Sequence, residues 1–306
     1  MIVVTAAAGK TGTAVVRALR ARGEDVRAVV AGRRPRPELT ALGAEVVHTD
    51  LSVPAGWETV LDGADAFHLI WPNFDAEEQD GAPALFAQAR RAGVPRVVYH
   101  SVLRPQLRAM PHHAAKDAVE EALDGSGVRW RVLQPCAYAD NLDDQLPEVE
   151  RTGELRSHWG LLTGQSLVDL RDVADAAVAL LTEDGLDGGT FEAVGPQALT
   201  AEQIADEMGR QLGREVTAVD VVPQGPVPQG YVSRCARTMY DHYRYHGFTG
   251  SPRVLTDLLG RPPRTYAEHL ADVLGARAVQ VLPDEPDDPV ERTLTRLRDA
   301  RAAGRG

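Results

Sequence analysis

The stretch IVVTAAAGKTG, residues 2–12, decides the fold class of this chain. Its first residues are apolar or β-branched and predict a buried strand, and the glycines that follow open a predicted helix over 9–22. A strand, a glycine-bearing turn and a helix in this order let backbone N–H groups approach a pyrophosphate at the positive end of a helix dipole. An ordinary βα turn is the alternative. The candidate cofactor-binding residues of this turn are Ala6, Ala8, Gly9, Lys10, Thr11 and Gly12.

The segments that follow alternate between predicted strands and helices. Predicted strands that are mostly continuous apolar runs lie at 25–30, 45–48, 66–70, 96–101 and 128–134, and predicted helices lie at 82–92 and 112–123. Apolar strands separated by helices are typical of an α/β fold, a doubly wound parallel Rossmann sheet covered on both faces. Such a sheet binds its ligand at the carboxyl ends of the strands.

Beyond residue 141 the alternation becomes less regular. A strand at 166–170, a helix at 173–181 capped by Asp172, and a strand at 190–194 come first. The remaining predicted elements are a helix from Thr200 to 212, a strand at 216–222, and helices at 230–246, 252–259 and 265–273. We therefore expect a Rossmann domain over 1–145, to which 165–183 returns, a small mixed α/β C-terminal substrate lobe over 146–275, and a loosely attached tail over 276–306.

Composition narrows the function classes. The chain has 306 residues, 43% hydrophobic and 25% charged, which is typical of a globular protein. A net charge of −11 argues against nucleic-acid partners. No apolar run reaches the ~18 residues that a membrane span needs, no basic leader precedes the first strand, and two cysteines are too few for a disulfide framework. We expect a cytoplasmic protein that binds a small-molecule substrate, with a homodimer as the candidate assembly.

Lysine usage singles out two positions. Lys+Arg totals 33, yet only Lys10 and Lys116 are lysines, a bias that suggests a GC-rich, bacterial coding sequence. A lysine retained against this bias indicates a need for a compact ammonium group. Chance survival on the surface is the alternative.

The end of the second strand bears on the choice of dinucleotide. Arg33 and Arg34 follow it, and no carboxylate occurs before Glu38. NAD sites place an acid there, whereas arginine suits the 2′-phosphate of NADP, so we predict NADPH/NADP as the cofactor. Solvated loop arginines are the alternative. Asp50 and Leu51 follow the third strand and are expected beside the adenine, although Asp50 could instead cap its own loop.

Candidate catalytic residues lie on the helix after the fifth strand. His112 and Lys116 are spaced i, i+4 and share one helical face. Lys116 could hold the ribose hydroxyls and His112 could donate a proton, with His113 as a substitute. A pair of exposed polar side chains is the alternative.

Other side chains are expected to form the substrate pocket. Trp71 at the rim of the crevice could wall cofactor or substrate, or pack in the core. His242 and His246 have a spacing that can bind metal, but no third ligand is evident, so no metal site is predicted. The predicted substrate-pocket residues are Trp71, Ser101, Tyr138, Trp159 and His242.

Several motifs together resemble the NmrA-like family of atypical short-chain dehydrogenase/reductases. They are AAAGKTG at 6–12, His112-x3-Lys116-x3-Glu120, LQP at 133–135 with Tyr138 and Asn141, VGPQALT at 194–200, and LGREV at 212–216. The segment LGRPPRT at 259–265 extends the resemblance, which covers residues 1 to about 275.

The resemblance implies a Rossmann domain that binds NADP(H) and a small lobe that closes over the substrate. It implies the family lysine's role for Lys116, and a place beside the nicotinamide for Pro135 and Tyr138. Two positions depart from the family pattern: Ala6 replaces the first glycine, and Gln134 replaces an arginine. His112 stands where ordinary short-chain reductases carry a catalytic tyrosine, so a tyrosine-based acid mechanism is unsupported.

These observations predict an NADPH-dependent reductase that transfers hydride to a small aromatic, quinone-like, carbonyl or imine substrate. The family also includes non-catalytic redox sensors and corepressors, so an NADP(H)-sensing regulatory protein is the alternative. An isomerase or cyclase that has abandoned the cofactor is a third, weaker interpretation.

Overall fold

The computed structural model describes residues 1–227 and 229–281. Its strands are β1 (Ile2–Val4), β2 (Val26–Val30), β3 (Glu45–His48), β4 (Ala66–Ile70), β5 (Val97–His100), β6 (Trp130–Pro135), β7 (Ala137–Tyr138), β8 (Glu154–Ser157), β9 (Gln165–Val168), β10 (Gly189–Ala193), β11 (Ala198–Leu199) and β12 (Thr217–Asp220). Its helices are α1 (Lys10–Ala21), α2 (Pro37–Ala41), α3 (Trp57–Leu61), α4 (Glu78–Arg91), α5 (Pro111–Asp124), α6 (Leu146–Thr152), α7 (Leu170–Thr182), α8 (Ala201–Leu212), α9 (Tyr231–His246), α10 (Arg253–Leu259) and α11 (Tyr266–Val281).

A seven-stranded parallel sheet in the order β10-β6-β5-β4-β1-β2-β3 forms the centre of the molecule. The strand order reverses at β1, where β2 pairs on one side and β4 on the other. A doubly wound sheet opens a ligand crevice at such a reversal, at the carboxyl ends of the strands. The predicted fold class is therefore confirmed.

Both faces of the sheet are covered. On one face, α1 and α7 pack against each other and bury Val15, Leu19 and Val178. On the other face, α3, α4 and α5 bury a second cluster that includes Trp57 and Phe86. Burial on both faces explains why the central strands are apolar throughout rather than alternating. None of the described helices is long and apolar enough to cross a membrane.

A smaller mixed region follows β6. Strands β7, β9 and β11 form a three-stranded sheet, and β8 pairs with β12. A separate apolar cluster, to which Leu146, Met208 and Leu270 belong, holds α6, α8 and α11 together.

The structure differs from the predicted organisation in its later part. The strand Gly189–Ala193 joins the main sheet as its edge, whereas Gln165–Val168 belongs to the small sheet and only α7 returns to the Rossmann layer. Helix α4 begins earlier than predicted, at Glu78, and α11 continues to Val281, into the segment expected to be a tail. The rest of the predicted tail, 282–306, lies outside the described residues.

The predicted cap of α7 was wrong. Asp169 is the N-cap, and its side chain accepts a hydrogen bond from the Arg171 N–H. Asp172 lies within the first turn, fully buried, where Arg261 and Arg264 donate to its carboxylate. Both acids suit a helix start, and only the distant arginines distinguish their roles.

Candidate functional site

The turn after β1 folds back so that the start of helix α1 lies very close to the backbone of Ala6 and Ala7 in the turn itself. A Cβ atom on Gly12 would lie 2.3 Å from the Ala6 carbonyl oxygen and 2.6 Å from the Ala7 Cα. Only glycine fits there, because any side chain would overlap the backbone of the turn. Ala6 has a φ of +46°, a left-handed conformation that costs an alanine about 1–2 kcal/mol. The residue that departs from the family's glycine therefore retains a glycine-like backbone.

The amino terminus of α1 is free to bind an anion. Gly9 is the N-cap and provides no side-chain cap, and no acidic residue lies in the first turn. The first N–H groups of a helix have no partner within the helix, and the helix dipole gives this end a partial positive charge. The turn therefore offers what a pyrophosphate requires.

A cavity of about 410 Å³ extends from this turn along the carboxyl ends of β1, β4, β5 and β6. Most of the predicted site residues meet here. They are Ala6, Gly9, Lys10, Thr11, Gly12, Trp71, Ser101, His112, Lys116, Pro135, Tyr138 and Trp159. The cavity brings together residues as far apart in sequence as Ala6 and Trp159.

The other predicted residues lie elsewhere. Arg33 and Arg34 are exposed in the loop after β2. Asp50 is exposed, and its carboxylate accepts hydrogen bonds from the Ser52 N–H and hydroxyl, which is the loop-cap alternative. Leu51 packs at the edge of the core beneath α3.

Ala8 and His242 are also outside the first cavity. Ala8 lines a second cavity of about 630 Å³ that shares Gly9 and Lys10 with the first. His242 stacks on His246 with 4.7 Å between the ring centroids.

Lys116 is held in a buried polar cluster. Its Nζ lies 2.7 Å from Glu78 Oε1 and 3.3 Å from the His100 carbonyl oxygen. The Tyr99 hydroxyl donates to the same Glu78 oxygen at 2.8 Å. The cluster fixes the ammonium at the wall of the cavity, and because an ammonium has three donors, one more partner can be served.

Tyr138 and His100 form a second polar pair in the cavity. The Tyr138 hydroxyl lies 2.8 Å from His100 Nε2, and Thr11 also hydrogen-bonds to this hydroxyl. Burial, together with nearby His68 and Lys116, holds the pKa of His100 well below its ordinary value. Burial raises the pKa of Tyr138. Both groups are therefore neutral near pH 7.

His112 is buried beside Phe74, with 4.8 Å between the ring centroids in an edge-on arrangement. Burial, together with the neighbouring His113 and Lys116, lowers the pKa of His112 to about 3. At neutral pH His112 is an uncharged imidazole, which can donate or accept a hydrogen bond but is not an imidazolium acid. The pair His112 and Lys116 does share one wall of the cavity.

The Ser101 hydroxyl is hydrogen-bonded to a carboxylate behind the cavity wall. It donates to the Glu120 carboxylate, and the Gln134 amide donates to both oxygens of the same carboxylate at 2.9 Å. Burial raises the pKa of Glu120, and the hydrogen bonds from the Ser101 and Gln134 side chains oppose this increase. Gln134 thus binds Glu120 without the positive charge of the family's arginine.

Aromatic side chains form the rest of the cavity. Trp71 is 3% exposed, and its ring lies so close to Gly81 that a Cβ there would be 2.3 Å away. Trp71 therefore packs in the core and also lines the cavity. Other large apolar or aromatic side chains of the wall include Trp159, Met239, Tyr240, Tyr243 and Phe248.

One acidic and histidine cluster has the spacing of metal ligands within the described part of the chain. The ligand atoms of Asp140, Asp169 and His269 lie within 4.8 Å of one another. Both ring nitrogens of His269 are already hydrogen-bonded, Nδ1 to Asp169 and Nε2 to Asp143, each at 3.0 Å. Burial alone would lower the pKa of His269, but these hydrogen bonds outweigh it and raise the pKa to about 9. With both ring nitrogens hydrogen-bonded to carboxylates, His269 joins these acids in an ion-pair network.

Three residues that shape the site were missed from the sequence: His100 and Gln165, which line the cavity, and Glu78, which holds Lys116 from behind. Glu78 reaches the site only through Lys116, because it lies on a turn of α4 that the apolar pattern did not predict. A signal existed for His100, a polar residue at the carboxyl end of a parallel strand. None existed for Gln165, which begins a short strand of the small sheet.

Comparison with known proteins identifies the family of this chain. A model of the NmrA-like family matches residues 1–247. The chain belongs to the NmrA-like family. The resemblance inferred from the motifs is thus confirmed.

The NmrA-like protein has several named relatives. It is 28% identical to an NAD(P)H azoreductase of Xenophilus azovorans, over 88% of this chain and 96% of that protein. It is 29% identical to a (4-alkanoyl-5-oxo-2,5-dihydrofuran-3-yl)methyl phosphate reductase of Streptomyces griseus, over 89% and 97%. Among solved structures, the NADPH-dependent quinone oxidoreductase of Escherichia coli, complexed with NADPH, matches with a TM-score of 0.77 and 23% identity over 90% of this chain and all of that one. This last likeness establishes the shared fold.

Proposed function

We propose that this NmrA-like protein is an NADPH-dependent reductase of a small aromatic, quinone-like, carbonyl or imine compound. One observation carries the proposal: an uncapped helix amino terminus with a glycine contact opens into the same cavity as a buried lysine and an aromatic wall. Relatives named as NAD(P)H-dependent or as reductases support the same class of reaction.

The residues of the turn fit a dinucleotide. The N–H groups of Lys10, Thr11 and Gly12 would bind the pyrophosphate, and Gly12 keeps the helix close enough to do so. Arg33 and Arg34, exposed at the end of β2, would bind the 2′-phosphate and so favour NADPH over NADH. This role requires no movement of the core, because both guanidinium groups already lie at the surface of the loop.

The residues of the cavity would orient the reacting groups. Lys116 would direct its third donor to the ribose hydroxyls of the cofactor, while Glu78 and the His100 carbonyl hold the ammonium in place. Pro135 and Tyr138 would lie beside the nicotinamide ring, and the aromatic wall would exclude water. Bound NADPH supplies the hydride.

The substrate's need for a proton limits the reaction. Reduction of a quinone or carbonyl consumes one hydride and one proton, whereas an iminium carbon needs only the hydride. His112 and Tyr138 are the protic side chains proposed to face the substrate, and both are neutral near pH 7. Neither is a strong acid. Acceptors whose reduced form needs little proton assistance therefore fit this site best.

Cofactor binding and turnover are tested separately. Calorimetric titration with NADPH and NADH should give tighter binding of NADPH, and NADPH oxidation should follow addition of a quinone or an iminium compound. Absence of binding to either dinucleotide would overturn the proposal. Tight binding without oxidation across a broad panel of acceptors would favour the regulatory alternative.

A further inference from the structure

Gln165 is a buried amide that the cofactor site does not use. The residue is 3% exposed and lines the cavity. Neither its Oε1 nor its Nε2 has a hydrogen-bond partner among the described residues. Buried side-chain amides normally have partners, and an exception calls for a specific explanation.

The backbone holds Gln165 in place. The Ser166 N–H donates to the Phe248 carbonyl at 2.9 Å, and the Phe248 N–H donates to the Gly164 carbonyl at 3.0 Å. Gly247 has a φ of +68°, and a Cβ there would lie 2.7 Å from the Gly164 oxygen. Hydrogen bonds on both sides of residue 165 therefore prevent the strand from turning the amide out to solvent.

A second polar atom accompanies this amide. Trp159 Nε1 is buried, lines the same cavity and has no partner in the described structure. An indole N–H only donates, whereas a primary amide donates and accepts. Gln165 and Trp159 together thus provide two kinds of donor and one acceptor on the cavity wall.

The cavity has no free charge for a charged substrate. No aspartate, glutamate or arginine is among its described lining residues. Of its two lysines, Lys116 is paired with Glu78 and Lys10 with Asp144 at 3.0 Å. A phosphate or carboxylate on the substrate would lack a free cation, and burying such a charge unpaired is unfavourable.

We propose that Gln165 and Trp159 are specificity-determining residues, and that the substrate is a neutral, flat ring compound with a carbonyl oxygen next to an N–H or O–H group. The inference rests on the proposed reductase function and names its substrate class. The Gln165 amide pairs with the adjacent donor and acceptor together, and the Trp159 N–H donates to a carbonyl oxygen. Tyr243 and Phe248, stacked on each other with 4.7 Å between centroids, form an aromatic wall of the cavity.

The test compares two quinones of similar shape. In 2-amino-1,4-naphthoquinone an amino group lies next to a carbonyl, and 2-methyl-1,4-naphthoquinone has a methyl group in its place. Equilibrium dialysis against protein saturated with NADP⁺ measures both dissociation constants without any turnover. We expect at least tenfold tighter binding of the amino compound by the natural protein.

Variants assign that preference to residue 165. Gln165→Leu should reduce the preference to less than threefold while leaving the dissociation constant of NADP⁺ unchanged. Gln88→Leu is the matched control, since it removes another buried glutamine with an unpartnered amide oxygen away from the cavity, and it should keep the preference. Trp159→Phe should weaken both quinones and leave NADP⁺ binding intact.

Two outcomes would overturn the inference. One is equal binding of the two quinones by the natural protein, which needs no variant to fold. The other is an unchanged preference in Gln165→Leu. Failure of the reductase proposal would give a different result, which is that NADP⁺ does not bind or that NADPH is not oxidised.

Discussion

The ammonium of Lys116 lies 2.7 Å from Oε1 of Glu78, and both side chains are buried. Removing one partner of a buried ion pair leaves the other charge uncompensated, at a cost of about 3–5 kcal/mol. The proposed catalytic lysine is therefore also part of the protein's core. Loss of activity on its replacement has two causes, and they must be separated.

A paired substitution separates them. Lys116→Met alone should lower the free energy of unfolding by about 3–5 kcal/mol, because Glu78 is left buried and charged. Adding Glu78→Gln should restore most of that stability but not NADPH oxidation. Urea unfolding and the rate of NADPH oxidation measure the two effects. Arg91→Met, which breaks an exposed pair with Glu58, is the control and should change stability by about 1 kcal/mol or less. A double variant that oxidises NADPH at the natural rate would exclude Lys116 from the reaction.

Gly12→Ala should impair cofactor binding through sterics alone. The new Cβ would meet backbone atoms of Ala6 and Ala7, which cannot rotate away, so α1 must shift from the turn. We expect a dissociation constant for NADPH at least tenfold higher and a loss of about 1–3 kcal/mol of stability. Gly275→Ala adds the same atom in open space on α11 and should leave binding unchanged. Calorimetry and thermal unfolding report both quantities, and normal NADPH affinity in Gly12→Ala would contradict the proposed pyrophosphate site.

Replacing Arg33 and Arg34 together by alanine should change cofactor preference. Each charge-assisted hydrogen bond to a phosphate contributes about 1.5–3 kcal/mol, so NADPH affinity should fall by at least tenfold while NADH affinity stays constant. Arg151→Ala with Arg210→Ala removes the same charge from exposed positions of α6 and α8 and serves as the control. An equal loss for both dinucleotides would exclude recognition of the 2′-phosphate by these arginines.

His269 should make stability depend on alkaline pH. Its pKa is raised to about 9 in the folded protein, against about 6.5 in the unfolded chain. The folded state therefore binds the proton more tightly, so the contribution is complete below about pH 6.5, declines as pH rises, and is lost above about pH 9. The carboxylates of Asp143 and Asp169 are hydrogen-bonded to the His269 ring and stabilise its protonated form, and the nearby charge of Asp140 acts in the same direction.

The matching variant is His269→Gln. Urea unfolding measures the free energy of unfolding of both proteins at pH 6.5 and pH 9.5. Between these pH values the natural protein should lose on the order of 2–3 kcal/mol more of that free energy than the variant. Equal losses in both proteins would mean that His269 is not the group that titrates.

The pattern of residues over short stretches of sequence was sufficient to predict the parts of the fold that repeat. The apolar strands, the glycine turn and the i, i+4 spacing of His112 and Lys116 each depend on residues close in sequence, and the cavity contains that turn and that pair. The departure at Ala6 was also visible, although its left-handed backbone was not.

Partners far apart in sequence could not be predicted in this way. Asp169 caps α7, whereas Asp172 lies inside its first turn and binds Arg261 and Arg264, some ninety residues later in the sequence. The strand Gly189–Ala193 joins the main sheet through backbone hydrogen bonds to β6, which any apolar strand could make.

The sequence by itself determined the doubly wound sheet, the glycine-bearing turn before α1, and the shared helical face of His112 and Lys116, since periodicity and turn chemistry act over a few residues. The tertiary structure alone decided that Glu78 neutralises Lys116, that His112 is uncharged, and that Gln165 is buried at the cavity without a partner. Each of these depends on burial and on contacts between distant segments, because desolvation and charge pairing are properties of the folded environment.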